Sequence, residues 1–209
     1  MARYGHSPHS TMTHLNGNLL VAIDIETTGL RPGYHDLIQI AVLPLDASIK
    51  PLKSAPPFYM ELAPKRPENI EPGASKIHRI DLAELMLRAL CPWKASEYFE
   101  IWFEKLGLPH GKRLAPLAQN WVFDRGFIID WLGEKAFSDF FDARYRDTMA
   151  AALFCNDHAD FTNEKIPYPK VNLTYLASQL TVVNDRAHDA LQDCITTAEV
   201  YRRMVSQAM

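Results

Sequence analysis

Leu19-Leu20-Val21-Ala22-Ile23-Asp24-Ile25-Glu26-Thr27-Thr28-Gly29-Leu30 is the stretch whose reading decides the fold. Its first five residues are apolar and mostly branched, and the run ends at a glycine turn, the pattern of a strand buried on both faces. Side chains alternate along a strand, so Asp24 and Glu26 point to one side and Ile25 to the other. Two carboxylates on one side of a buried strand end repel each other. A polar strand end facing water is one explanation. A divalent metal between them, offsetting the repulsion, is the other.

Two further segments bear on that choice. Asn120-Trp121-Val122-Phe123-Asp124 follows a second apolar run, Leu114 to Ala118, and His188-Asp189-Ala190-Leu191-Gln192-Asp193 opens a long helical pattern near the C-terminus. Taken singly, Asp124 could be a helix N-cap, Asp193 a surface helix residue and His188 a capping or core histidine. Together, DIETTGL, NWVFD and HDALQD stand in the order of the three motifs of the DEDDh 3′–5′ exonucleases, and the chain resembles that family from about Leu19 to about Met204. The family includes the proofreading subunits of bacterial replicative polymerases.

The resemblance implies an α/β, RNase H-like fold: a five-stranded mixed sheet flanked by helices, with the first strand central. It also implies a catalytic set of Asp24, Glu26, Asp124, His188 and Asp193. Hydrolysis of a phosphodiester needs an activated water and stabilisation of the leaving oxygen, which two hard cations about 4 Å apart can provide. By resemblance the cofactors are two divalent cations, Mg²⁺ or Mn²⁺. Asp24 would bridge them, Glu26 and Asp193 would hold one, and Asp124 would help hold the other. His188 would take the proton from the attacking water, which requires a neutral imidazole. The implied substrate is the 3′ end of a single strand, with Thr27, Thr28, Gly29, Leu30, His78 and Asn120 as contacts. Leu30 would wedge against the terminal base, and the Thr27–Gly29 turn would offer backbone N–H groups. Phe123 reads as core.

Two family positions differ. Gln119 stands where many members have His, and Gln39 where many have Glu. The Thr27-Thr28 pair looks more like the proofreading branch than the oligoribonuclease branch, which favours DNA. The alternatives are an exoribonuclease acting on short RNA and a catalytically silent nucleic-acid binding module. A DNA polymerase is a candidate partner, although no docking segment stands out.

Composition fits an enzyme of this kind. At 209 residues, 47% hydrophobic and 22% charged, the chain can form one domain with a sizeable core. Residues 1–18 are polar, carry His6, His9 and His14, and lack the apolar centre of a signal peptide, so they read as a mobile tail before a single domain over 19–209. Cys91, Cys155 and Cys194 are few and scattered, which suggests a reducing, cytoplasmic setting and no zinc site. Cys194 reads as a buried helix residue. A net charge of −3 argues against a protein that coats nucleic acid over its whole surface, while leaving room for a local groove.

The element pattern is three strands, then alternating helices and strands, which suggests a mixed sheet flanked by helices. Strands are expected at Leu19–Asp24, Leu37–Leu45, Phe58–Leu62, Leu114–Ala118 and near Tyr145. Helices are expected from Asp81 to Leu90, Ala95 to Leu106, Phe123 to Leu132, Thr148 to Cys155, Asn172 to Leu180 and Asp189 to Gln207. Asp81, Asn172 and Asp189 are the N-caps. Tyr98, Trp102 and Leu106 share a helix face that reads as core.

Overall fold

The computed structural model describes residues 17–74, 80–185 and 188–207. Its centre is β1, Leu19–Thr27, three residues longer than expected, in which every residue except Asp24 is buried. β2 (Leu37–Pro44) is buried throughout, and β3 (Phe58–Glu61), β4 (Leu114–Ala118) and β5 (Arg146–Asp147) complete the sheet. The order is β3-β2-β1-β4-β5. β2 is antiparallel to both β1 and β3, while β4 is parallel to β1 and β5. This is the five-stranded mixed sheet of the RNase H-like fold with its first strand central.

Seven helices follow among the described residues: α1 (Leu82–Arg88), α2 (Pro92–Lys105), α3 (Trp121–Leu132), α4 (Glu134–Phe140), α5 (Thr148–Phe161), α6 (Leu173–Gln179) and α7 (Ala190–Gln207). The alternation of β1 divides the core. Leu19, Val21, Ile23 and Ile25 pack with Phe99, Trp121, Phe127 and Phe141, whereas Leu20 and Ala22 pack with Ala190, Cys194 and Ala198. Each fully buried large apolar side chain contributes about 1.5–3 kcal/mol. On the second face α7 presents the small residues Ala190, Cys194 and Ala198 to Leu20, Leu43 and Leu117 of the sheet. Cys194 Sγ donates to the carbonyls of Ala22 at 3.4 Å and Ala41 at 3.5 Å, fixing the helix over the acidic strand end.

Asp81 and Asn172 cap α1 and α6 through their side-chain oxygens, as expected. Tyr98 corrects the core reading of its helix face. Trp102 is buried, but Tyr98 is exposed, and Phe99 takes the fully buried place. Asn18 corrects the tail boundary. It is buried, its amide donates to Asp142 Oδ2 at 2.7 Å and its oxygen accepts from Arg113 N at 3.1 Å. No helix among the described residues is long and apolar enough to cross a membrane.

Candidate active site

The ends of β1, α3 and α7 converge. The β1–β2 register shifts between Glu26 and Thr27, and such an irregularity re-aims the side chains at a strand end. Glu26, Asp124 and Asp193 are buried, and Asp24 is half-buried. Glu26, His188 and Asp193 each offer a ligand atom, all within 4.8 Å of one another, with His188 exposed at the rim.

Asp24 and Asp124 belong to the same acidic cluster. Burial, and then the charges of Asp124, Asp193, Glu26 and Asp189, push the Asp24 carboxyl well above its ordinary range. Burial also raises Asp124, with Asp147 and Glu26 adding to it. Glu26 is pushed up to about 8 by burial, Asp193 and Asp189. Asp193 is raised by burial, while its bond from the His188 backbone pulls the other way. A metal-free cluster therefore holds protons that a hard cation would replace.

The local sequence explains the placement of His188 and Asp193. Asp189 accepts from Gln192 N at 2.9 Å and so caps α7. Gln39, on β2, accepts from Ala190 N at 3.0 Å and donates to Tyr59 Oη at 2.8 Å, pinning the helix start to the sheet. His188 adopts φ 71°, an uncommon conformation for a residue with a Cβ, and its N–H donates to Asp193 Oδ2 at 2.8 Å. The other oxygen, Asp193 Oδ1, is buried without a partner. Asn184 lies beside Asp193 and favours its charged form, yet no bond of ordinary geometry joins the two, and both polar atoms of its amide are buried and unpartnered.

The expected substrate contacts divide. Leu30 is 69% exposed. Thr27, Gly29 and Leu30 line a cavity of about 360 Å³ that also touches Glu26, Glu71 and Phe123. Phe123 is therefore a cavity wall as well as a partner of the core. Thr28 is a correction. It is fully buried, its N–H donates to the Asp36 carbonyl, its carbonyl accepts from Glu71 N, and its hydroxyl accepts from Asp36 N. It has no N–H left for a nucleotide and instead ties the turn together. Asn120 sits at φ 66°, and its side chain makes no hydrogen bond among the described residues. His78 lies outside the described residues.

Sequence reading missed Asp147. Its carboxylate accepts from Asn120 N and Trp121 N as well as from Met149 N and Ala150 N, so one side chain fixes both the second motif and the start of α5. The signal was an Asp directly before a helical run. Gln119 is also structural: it donates to the Val171 carbonyl and accepts from Thr148 Oγ1.

Known structures share this architecture. Cell-death related nuclease 4 aligns at a TM-score of 0.69 and 19% identity, covering 91% of this chain and 64% of that one. The nuclease domain of 3′hExo, a DEDDh family member solved with rAMP, aligns at 0.66 and 16%, covering 91% and 92%. E. coli exonuclease I, solved with a dA16 oligonucleotide, aligns at 0.68 and 19%, covering 90% and 41%. The chain thus spans under two thirds of the length of two of these proteins, and at such identities the likeness establishes the fold. No curated protein sequence matches the chain. The sequence model of the exonuclease family RNase T matches residues 21–201, nearly the whole folded unit. On that match, the chain belongs to the RNase T exonuclease family.

Proposed function

We propose that the enzyme removes nucleoside 5′-monophosphates from the 3′ end of single-stranded DNA, using two divalent cations, Mg²⁺ or Mn²⁺. The observation that carries this is the meeting of Glu26, His188 and Asp193 within 4.8 Å, next to the cavity walled by Leu30. The residues fit the cations. The donors are carboxylate oxygens, which suit hard ions, and Asp193 Oδ1 is buried and unpartnered. Asp24, Glu26, Asp124 and Asp193 would hold them. The chemistry two such cations supply is Lewis-acid stabilisation of phosphoryl charge and a water of lowered pKa.

The chain's own groups do the rest. His188, at the exposed rim, accepts the proton of the attacking water on an imidazole nitrogen. Leu30 and Phe123 enclose the terminal base, and Thr27 and Gly29 shape the wall beside the sugar. Asn120, its side chain uncommitted, meets the next nucleotide. Asp189 and Gln39 hold the start of α7 so that His188 stays beside Asp193.

A second reading is removal of ribonucleotides, favoured by the likeness to the 3′hExo nuclease domain, whose structure contains rAMP. Nothing in the site or its likenesses speaks for a polymerase partner, and none is proposed. The test is digestion of matched 5′-labelled DNA and RNA single strands with Mg²⁺ or Mn²⁺. Higher kcat/KM on DNA is expected; higher kcat/KM on RNA would move the substrate to the second reading.

A further inference from the structure

A second cavity, of about 430 Å³, lies on the flank of α3, away from the acidic cluster. Its walls include Trp121, Phe137 and Tyr145, and Arg113 and Arg125 stand at its edge. Such a volume suits a small organic ligand.

The charges distinguish this cavity from a surface dent. Arg66, Arg88, Arg144, Arg202 and Arg203 are paired with carboxylates. Arg113 and Arg125 form no ion pair among the described residues, although both are exposed. The acid at the cavity, Asp142, is already matched by Arg144 at 2.9 Å and by the Asn18 amide. In a chain of net charge −3, two uncompensated guanidinium groups therefore flank one apolar hollow. Guanidinium groups match phosphate oxygens in geometry and charge.

The aromatic wall matches the rest of a nucleotide. Arg125 lies over the Phe137 ring, 5.5 Å from its centroid, which holds the charge at the rim. Tyr145 is 47% exposed, with its ring 6.4 Å from that of Trp121. An exposed ring beside cations is the arrangement that binds single strands with little regard to sequence.

Position connects the cavity to the reaction. Trp121 follows Asn120, and Arg125 follows Asp124, in the N-terminal part of α3. Arg113 directly precedes β4, whose Leu114 pairs with Leu19, so at about 3.3 Å per residue the cavity's far edge lies about 17 Å along the sheet from the Asp24 end of β1.

We propose that this cavity is a subsite for unpaired nucleotides of the substrate strand upstream of the scissile bond, with phosphates on Arg113 and Arg125 and a base on Tyr145. It rests on the single-strand reading above.

The test uses 5′-labelled DNA strands of increasing length, from a dinucleotide to a 12-mer, with the wild type, Arg113→Glu/Arg125→Glu and Tyr145→Ala. In the wild type, KM falls with length. In the double variant the advantage of the 12-mer over the dinucleotide shrinks at least tenfold, with kcat unchanged. The slope of log KM against log salt falls by about 1.4, at about 0.7 per phosphate contact on a single strand. Tyr145→Ala shrinks the length advantage without changing the salt slope, and it keeps the test open if the charge reversals misfold. Unchanged length dependence in folded variants overturns the subsite. Weaker inhibition by free dAMP with length dependence intact also overturns it, making the cavity a mononucleotide site. If the wild type digests no strand, the exonuclease reading fails instead, and anisotropy of a fluorescent 12-mer on the same proteins still decides the subsite.

Discussion

The backbone N–H of His188 donates to Asp193 Oδ2 at 2.8 Å, so the candidate base and a candidate metal ligand form one mechanical unit. His188 sits at φ 71°, and Asp193 Oδ1 is left buried without a partner.

Coupling of the two residues is therefore expected in a double-mutant cycle. Asp193→Ala removes a carboxylate and also frees the His188 backbone. His188→Ala should lower kcat by about 10²–10⁴, the range for a lost general base, while Mg²⁺ binding persists. Adding it to Asp193→Ala should cost little more. Full additivity of the two losses in kcat would show that the residues act separately.

Without metal, the cluster should make the protein less stable as pH rises. Glu26 is raised from 4.5 to about 8 by burial and its acidic neighbours, and Asp24, Asp124 and Asp193 shift in the same direction. Below the unfolded value, near 4.5, the Glu26 carboxyl is protonated in both states and costs nothing. Between about 4.5 and 8 the unfolded chain ionises first, so each such proton lowers stability by about 1.4 kcal/mol per pH unit. Melting in EDTA should show Tm falling across this window, with Mg²⁺ restoring it most strongly at pH 8. A Tm that rises from pH 5 to pH 8 without metal would contradict the burial of these groups.

Asp24→Asn should separate activity from folding. The change removes one ionisable, charge-crowded carboxyl whose ionisation the cluster opposes, so metal-free Tm should hold or rise while turnover nearly disappears. Parallel melting and rate measurements decide it. A variant with substantial turnover would take Asp24 out of the metal site.

Gly29→Ala should destabilise the turn that carries the wedge. A Cβ there would lie 2.5 Å from the His35 ring, which is buried and accepts from Arg31 N at its Nδ1. The ring has nowhere to move, so overpacking of about 1–3 kcal/mol is expected in denaturant unfolding, together with a raised KM. Wild-type stability would mean that the turn relaxes freely.

The sheet was legible because β1, β2 and β4 are apolar runs bounded by turn residues, and the acidic strand end was legible because Asp24 and Glu26 interrupt such a run. Less visible were features set by tertiary contacts. α5 runs to Phe161 rather than Cys155 because Asn156, a poor helix former, bonds to both backbone groups of Tyr168 across the chain. α4 is only seven residues long and follows Gly133 directly, so it carries too little periodicity to stand out. Pro92 begins α2 from its first position, where a missing N–H costs nothing. In the site, the three motifs were readable through their resemblance, in order, to those of the DEDDh exonucleases. The engagement of every polar group of Thr28, and the four bonds to Asp147, depend on strands and loops far apart in sequence.

The central claim is stepwise hydrolysis from a free 3′ end by the carboxylate cluster. The most direct measurement incubates a 5′-labelled linear single strand and a circular single strand with Mg²⁺, using the wild type and Asp24→Asn side by side. The account predicts a ladder shortening from the 3′ end of the linear strand, an intact circle, and neither product with Asp24→Asn. Internal cuts in the circle, or an equal ladder from the variant, would contradict it.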